Sequence, residues 1–411
     1  MSAPVRRTAP GAFSRDGAPF FVTFFIWSVG TGAQGLARPL FAFLVSGNVF
    51  YAPLIAATNA LARMAAGPIT GYMTDRVGRK PLIVLGTGLR AGSSFAEIFV
   101  DTFAAFAVLE FIGQIGVSMW VTSTNVLIAD VSDTSNRGRV VAARTVSQRL
   151  GMILGPLIAG GLAMIDLRWV FALNGVTKTV SLLIALFLFA ETRPDSAKER
   201  TSQPGARRGL DFSFFRSRAF VALAVATFGL SMMAQGVFMS LLPVHLKDVL
   251  EMPEGQIGLL ATLAGAVALG VAMPNGWLVD RFGRKKTLVP GLALLAAAAF
   301  GFANAGAFGA VLAVVLLYGV AEGFVMGSSQ AYAMDLAPEA RRGEFLGVWA
   351  VFQNAGAFGA PLVIGALYAA LGPYAAFTAA AAWLLVSAVL MAVLGPETGG
   401  RARTRAPIRS P

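Results

Sequence analysis

The chain is 411 residues long, 56% hydrophobic and only 13% charged, with 33 basic against 21 acidic residues. A soluble chain of this length carries about 25% charged residues, so lipid is the solvent for much of this surface. The absence of cysteine and the single histidine exclude disulfides, thiolate metal sites and multi-histidine metal centres; no metal and no cofactor is expected.

The polar N-terminal stretch 1–18, with Arg6, Arg7 and Arg15, reads as a cytoplasmic tail. No cleavable signal peptide is expected, because the apolar run from about Pro19 to Val45 exceeds a signal-peptide core. A spanning helix needs about 20 apolar residues. The first half, 19–190, holds six such runs, at 19–43, 51–73, 82–100, 103–127, 143–165 and 169–190. A linker at 191–218 follows, containing Pro194, Lys198, Arg200, Pro204, Arg207 and Arg208. The second half, 219–395, holds six more, at 219–245, 257–278, 287–306, 309–334, 345–368 and 374–395. A basic tail at 396–411 closes the chain. The expected fold class is an all-α membrane protein with twelve transmembrane helices.

The net charge of +12 does not point to nucleic acid, because the basic residues are dispersed among short loops. With a cytoplasmic N-terminus, 26 of the 33 basic residues fall on the cytoplasmic side, and only Arg168 and Lys247 fall in external loops. That asymmetry places both termini in the cytoplasm and the linker beside them, in a plasma (inner) membrane with the bilayer as partner.

The two halves repeat each other. Gly71-Tyr-Met-Thr-Asp75-Arg76-Val-Gly78-Arg79-Lys80 recurs as Gly276-Trp-Leu-Val-Asp280-Arg281-Phe-Gly283-Arg284-Lys285. Asp130 with Arg137-Gly138 matches Asp335 with Arg342-Gly343, and Gln148, Pro156 and Gly160 match Gln353, Pro361 and Gly365. Ala33-Gln34-Gly35 matches Ala234-Gln235-Gly236. Internal repeats of this kind are expected of secondary transporters, with substrate bound between them. In the ten-residue motif, glycine permits a tight turn, and the aspartate can accept charge-assisted hydrogen bonds and cap the following helix.

With these motifs the sequence resembles the major facilitator superfamily over essentially its whole length. The resemblance implies two pseudosymmetric six-helix bundles and alternating access. It assigns Gly71, Asp75, Arg76, Gly78, Arg79, Gly276, Asp280, Arg281, Gly283 and Arg284 to a conformational switch rather than to substrate binding. Gly151-Met-Ile-Leu-Gly155-Pro156-Leu-Ile-Ala159-Gly160-Gly161 in the fifth run looks like the antiporter motif of the drug:proton antiporter branch, with Ala159 in place of a glycine. Pro156 removes a helix hydrogen bond, and the glycines permit close helix contact. That branch often carries an arginine, glutamine and glycine in the fourth run. Here Glu110-Phe-Ile-Gly113-Gln114 replaces the base with an acid.

A charge near mid-bilayer costs about 2.5–3.5 kcal/mol on insertion scales and so faces a cavity or a partner. The acids inside the runs are Glu97, Glu110 and Glu322; the bases are Arg38, Arg63, Arg90, Arg149 and Lys178. Runs 1, 4, 7 and 10 line the cavity in the resembled fold. They carry polar stripes that include Gln34 and Arg38, Glu110 and Gln114, Ser231 and Gln235, and Tyr318, Glu322 and Ser329. Glu110 and Glu322 are the candidate proton carriers, because burial penalises a carboxylate's charge and access to water restores it. The other residues named are the candidate substrate cavity. Glu97, Arg90 and Lys178 read as structural pairs or snorkelling side chains on peripheral helices.

Gly30-Thr-Gly32-Ala-Gln-Gly35 matches the dinucleotide fingerprint formally but lies within a spanning run. No catalytic triad, phosphate loop or zinc spacing appears, so no enzyme activity is expected. The leading reading is a monomeric, proton-coupled exporter of a small amphipathic compound. Proton-linked uptake of a small, possibly anionic, solute is the alternative. A non-transporting receptor or scaffold of the same fold is the reading of another class.

Overall fold

The structure is a computed structural model that describes residues 18–132, 137–189, 191 and 216–399. It is predominantly helical, with short connections and no strand among the described residues. The first six helices are α1 (Ala18–Ser46), α2 (Tyr51–Val77), α3 (Arg79–Glu97), α4 (Phe103–Val131), α5 (Arg137–Ala163) and α6 (Arg168–Leu188). Next come α7 (Arg218–Asp248), α8 (Glu254–Phe282) and α9 (Lys285–Asn304). The chain ends in α10 (Phe308–Leu336) and α11 (Arg342–Leu394).

Nine helical segments among the described residues are long and apolar enough to cross a membrane. The nine omit α2, which carries Arg63, Asp75 and Arg76, and α3, which is 19 residues long with four charges. They count α11 once, although Gly372, at φ 87° and followed by Pro373, divides it into two arms. A residue before proline avoids the helical region, so the break falls where two spans were read. With the arms counted separately, the described residues form twelve long helical rods. Several helices outrun their apolar cores: α2 reaches Val77, α4 reaches Val131 and α5 begins at Arg137. Their polar ends remain helical beyond the apolar runs.

Two helices depart from regular geometry. In α7, residues Met232–Leu241 form a π-helical stretch. Pro243 lies just after it and cannot donate to a helical carbonyl. Within the stretch, Ser240 Oγ donates to the Gln235 carbonyl at 2.6 Å. In α10, Gly327 (φ 81°) interrupts the helix. Asn275 of α8 donates to the Phe324 carbonyl at 2.8 Å and to that of Gly323 at 3.2 Å. It thereby satisfies acceptors that a broken helix cannot leave bare in lipid.

The packing divides the chain into two units: the described parts of Met1–Ala37 with Leu61–Gly205, and those of Arg38–Ala60 with Ala206–Pro411. In the first unit, Trp27 of α1 stacks on Trp120 of α4 with centroids 4.0 Å apart, within a core that includes Phe24, Ile83 and Phe189. Here α1 and α5 touch through backbone. A Cβ at Gly155 would lie 2.5 Å from Ala33 N and from Val29 O. In the second unit, α11 packs along α7 and α9, and α10 packs on α8 and α9.

Candidate functional site

The interior of the first unit holds a polar network. Glu97, Glu110, Arg90, Gln34 and Asn174 are all at most 1% exposed. Gln34 of α1 donates from one amide nitrogen to Glu97 Oε2 at 2.8 Å and to Glu110 Oε1 at 2.7 Å. The two carboxylate oxygens are therefore no farther apart than 2.8 plus 2.7, or 5.5 Å. Two full charges at that separation repel by about 3 kcal/mol at an effective dielectric of about 20. Arg90 of α3 opposes that repulsion, contacting Glu110 at 3.1 Å and Glu97 at 3.5 Å. Gly113 makes room for it, since a Cβ there would collide with the Arg90 guanidinium.

The network continues outward. Asn174 of α6 donates to Gln34 Oε1 at 2.5 Å and to Ser94 Oγ at 2.7 Å. Gln114 donates to Glu110 at 3.4 Å and accepts from Arg63 at 3.0 Å. Lys178 is also buried; it donates to the Trp27 carbonyl at 2.5 Å and to Thr31 Oγ1 at 2.8 Å, over the Trp27 ring. Arg90, Glu97 and Lys178 thus do not snorkel. A helix exposed to other helices on its polar face can bury charges that its position in the chain suggests are peripheral. The sequence signal for the Arg90–Glu97 contact was their spacing of seven, which sets both on one face of α3.

The second unit holds a cavity of about 130 Å³ between α7, α9 and α10. Leu230, Met233, Leu295 and Val325 give it apolar walls, and Tyr318, Glu322 and Ser329 its polar groups. The Tyr318 hydroxyl donates to Glu322 Oε2, and its ring stacks on Phe238 at 4.0 Å. This volume is smaller than the ~300 Å³ of a complete small-molecule pocket. Ser231 lies beside Gly356 of α11, and Gln235 gives its carbonyl to Ser240; neither lines the cavity. Arg38 packs with the second unit and Gln34 with the first.

The repeated ten-residue motifs build matching turns. Gly78 (φ 116°) and Gly283 (φ 104°) take conformations that side chains rarely adopt. Arg79 donates to Asp130 at 2.8 Å, and Arg284 forms ion pairs with Asp335 at 2.9 Å and Asp280 at 3.8 Å. Arg76 lies over the Tyr72 ring and Arg281 over that of Trp277. Asp75 is exposed within α2 and does not cap the next helix. Instead Glu191 accepts from the backbone N–H groups of Arg79 at 3.0 Å and Lys80 at 3.1 Å. Glu397 accepts likewise from Lys285 at 3.0 Å. The sequence reading missed both caps, although Glu191-Thr192 and Glu397-Thr398 follow the sixth and twelfth runs. In α5, Gly151 and Gly155 bear on α1, while Gly161 faces open space.

A family model described as Major Facilitator Superfamily matches residues 20–253 and 224–410. The multidrug resistance protein MdtL of Escherichia coli O81 (strain ED1a) is 25% identical over 293 residues, covering 70% of this chain and 72% of that protein. The uncharacterized MFS-type transporter YhjO of Bacillus subtilis (strain 168) is 23% identical over 310 residues, 75% of each chain. Among solved structures, the inward open conformation of the xylose transporter XylE from E. coli aligns with a TM-score of 0.72 at 15% identity, covering 93% of this chain and 97% of that one. A bacterial homologue of the human lysosomal transporter Spinster aligns with a TM-score of 0.71 at 14% identity, covering 92% and 95%.

Proposed function

The chain belongs to the Major Facilitator Superfamily, a family of integral multi-pass membrane transporters, and from that premise we propose that it exports a small amphipathic compound in exchange for protons. The observation that carries the coupling is Glu110, fully buried on a spanning helix and held by Arg90 and Gln34. A buried acid whose partners sit on neighbouring helices can gain or lose a proton only when those helices open it to water. Glu322, beside an apolar cavity, is the second carrier.

The direction of transport is supported by the Gly-Pro segment of α5, whose Gly155 sits against α1, and by the likeness to MdtL. In this reading the halves 19–190 and 219–395 exchange access from side to side. The Arg79–Asp130 and Arg284–Asp335 contacts hold one state of that exchange. Tyr318 and Ser329, which line the cavity of the second unit, contribute to the substrate path there. The transporter works as a monomer in the plasma (inner) membrane with both termini cytoplasmic.

Proton flux from inside-out vesicles with an acid interior tests the reading. A quenched pH dye reports the flux while a lipophilic cation, a neutral drug and an organic anion are added in turn. Compound-dependent proton release that is lost in Glu110→Gln or Glu322→Gln is the expected result. Transport by both variants that still runs against a gradient would remove them as carriers.

A further inference from the structure

Glu97 has no part in the function as read so far, yet it sits in the same network as Glu110. We propose that Glu97 and Glu110 form one proton site, a dyad that binds a single proton between them. The inference rests on the reading that Glu110 couples protons, and it changes that reading by making the acid of α3 an equal member of the site.

The geometry carries it. Both carboxylates take a hydrogen bond from the same Gln34 nitrogen, and both lie against the same Arg90 guanidinium. Two acids within 5.5 Å that draw on shared donors compete for them. A proton arriving from water on either oxygen removes the like-charge repulsion and supplies a donor of its own. No bond other than that O–H forms. The charged groups facing the dyad are Arg90 from α3, Arg63 from α2 through Gln114, and Lys178 from α6 one turn along α1. None of these needs to titrate.

The dyad also has an outlet. When the proton is present, the claim of the carboxylates on Gln34 weakens. Gln34 Oε1 is bonded to Asn174 of α6, so occupancy is communicated to α1 and α6 together. Glu97 and Glu110 bind the proton, while Gln34 and Arg90 position it.

The test needs no substrate. The full-length protein in phospholipid vesicles is titrated from acid to alkaline pH, and infrared difference spectra follow the carbonyl band of protonated carboxyls. The probe is the proton itself. With Glu322→Gln as the background, so that the second carrier gives no band, the protein is expected to show a buried carboxyl that both Glu97→Gln and Glu110→Gln abolish, because Arg90 then pairs with the acid that remains. Glu97→Asp, which keeps a carboxylate at α3, restores the band and confirms that loss is not misfolding. If Glu97→Gln keeps the band and only Glu110→Gln loses it, the dyad is overturned while the coupling role of Glu110 stands. If neither substitution changes the band, both fall.

Discussion

Arg79 donates from Nε to Asp130 Oδ2 at 2.8 Å, tying the turn after α2 to the end of α4. The corresponding residues meet in the second unit as an ion pair, with Arg284 Nε 2.9 Å from Asp335 Oδ2. Two residues fifty-one apart in the chain meet in each half because the helices between them fold back as a hairpin. The duplication therefore reproduces a tertiary contact as well as a motif.

Asp130→Asn keeps the shape of that contact and removes its charge. Losing one partner of a charge-assisted hydrogen bond costs roughly 1.5–3 kcal/mol, a change in conformational population of about tenfold or more. Single cysteines placed along α2 and α5 read that population cleanly, since the chain has no native cysteine. Labelling rates that match wild type, together with normal transport, would remove the pair from the switch.

Glu191→Ala strips the first turn of α3 of its acceptor. Loss of a helix N-terminal cap costs about 0.5–2 kcal/mol. Because Glu191 is exposed, the lower end of that range is expected. Hydrogen exchange should quicken at the Arg79 and Lys80 amides and not in the middle of α3. Glu397→Ala should do the same at Lys285. Uniform exchange across α3 in the variant and wild type would show that the cap contributes nothing.

Gly155 and Gly161 lie six residues apart on α5, on different faces of the helix, and predict opposite responses. A Cβ at Gly155 meets the backbone of α1 at 2.5 Å, whereas one at Gly161 meets nothing within 4 Å. Gly155→Ala is expected to force the helices apart at about 1–3 kcal/mol, the usual cost of overpacking. Gly161→Ala should be neutral or slightly stabilising, since alanine favours helix. Thermal unfolding in lipid discs compares them directly, and equal stability of the two variants would contradict the close approach of α1 and α5.

The helices were legible because each is an apolar run bounded by polar turns, and the paired motifs at Gly71 and Gly276 marked the same turn in each half. The acids and bases within the runs were legible as individual residues. Their partners were not. Arg90 and Glu97 read as a structural pair or snorkelling side chains on a peripheral run, and nothing in their spacing from Glu110 or Asn174 shows that four helices converge there. Glu191 and Glu397 were missed because a cap supplied by a residue more than a hundred positions away leaves no local signature. The π-helical stretch of α7 was likewise hidden, since Pro243 signals a disturbance without specifying its form.

The sequence by itself determined the solvent of this protein, its helical class, its duplication and the positions of its turns. Those follow from periodic or local properties: apolar length against bilayer thickness, glycine where the backbone must turn, and basic residues where the chain meets water. Only the tertiary structure decided which buried charges meet, because a hydrogen bond or ion pair depends on distances of a few ångströms between helices whose rotation and spacing are set by packing. Gln34 joins Glu97 to Glu110 because α3 and α4 close on each other at Gly86, Gly113 and Gly116, which sets the two acids within reach of one amide.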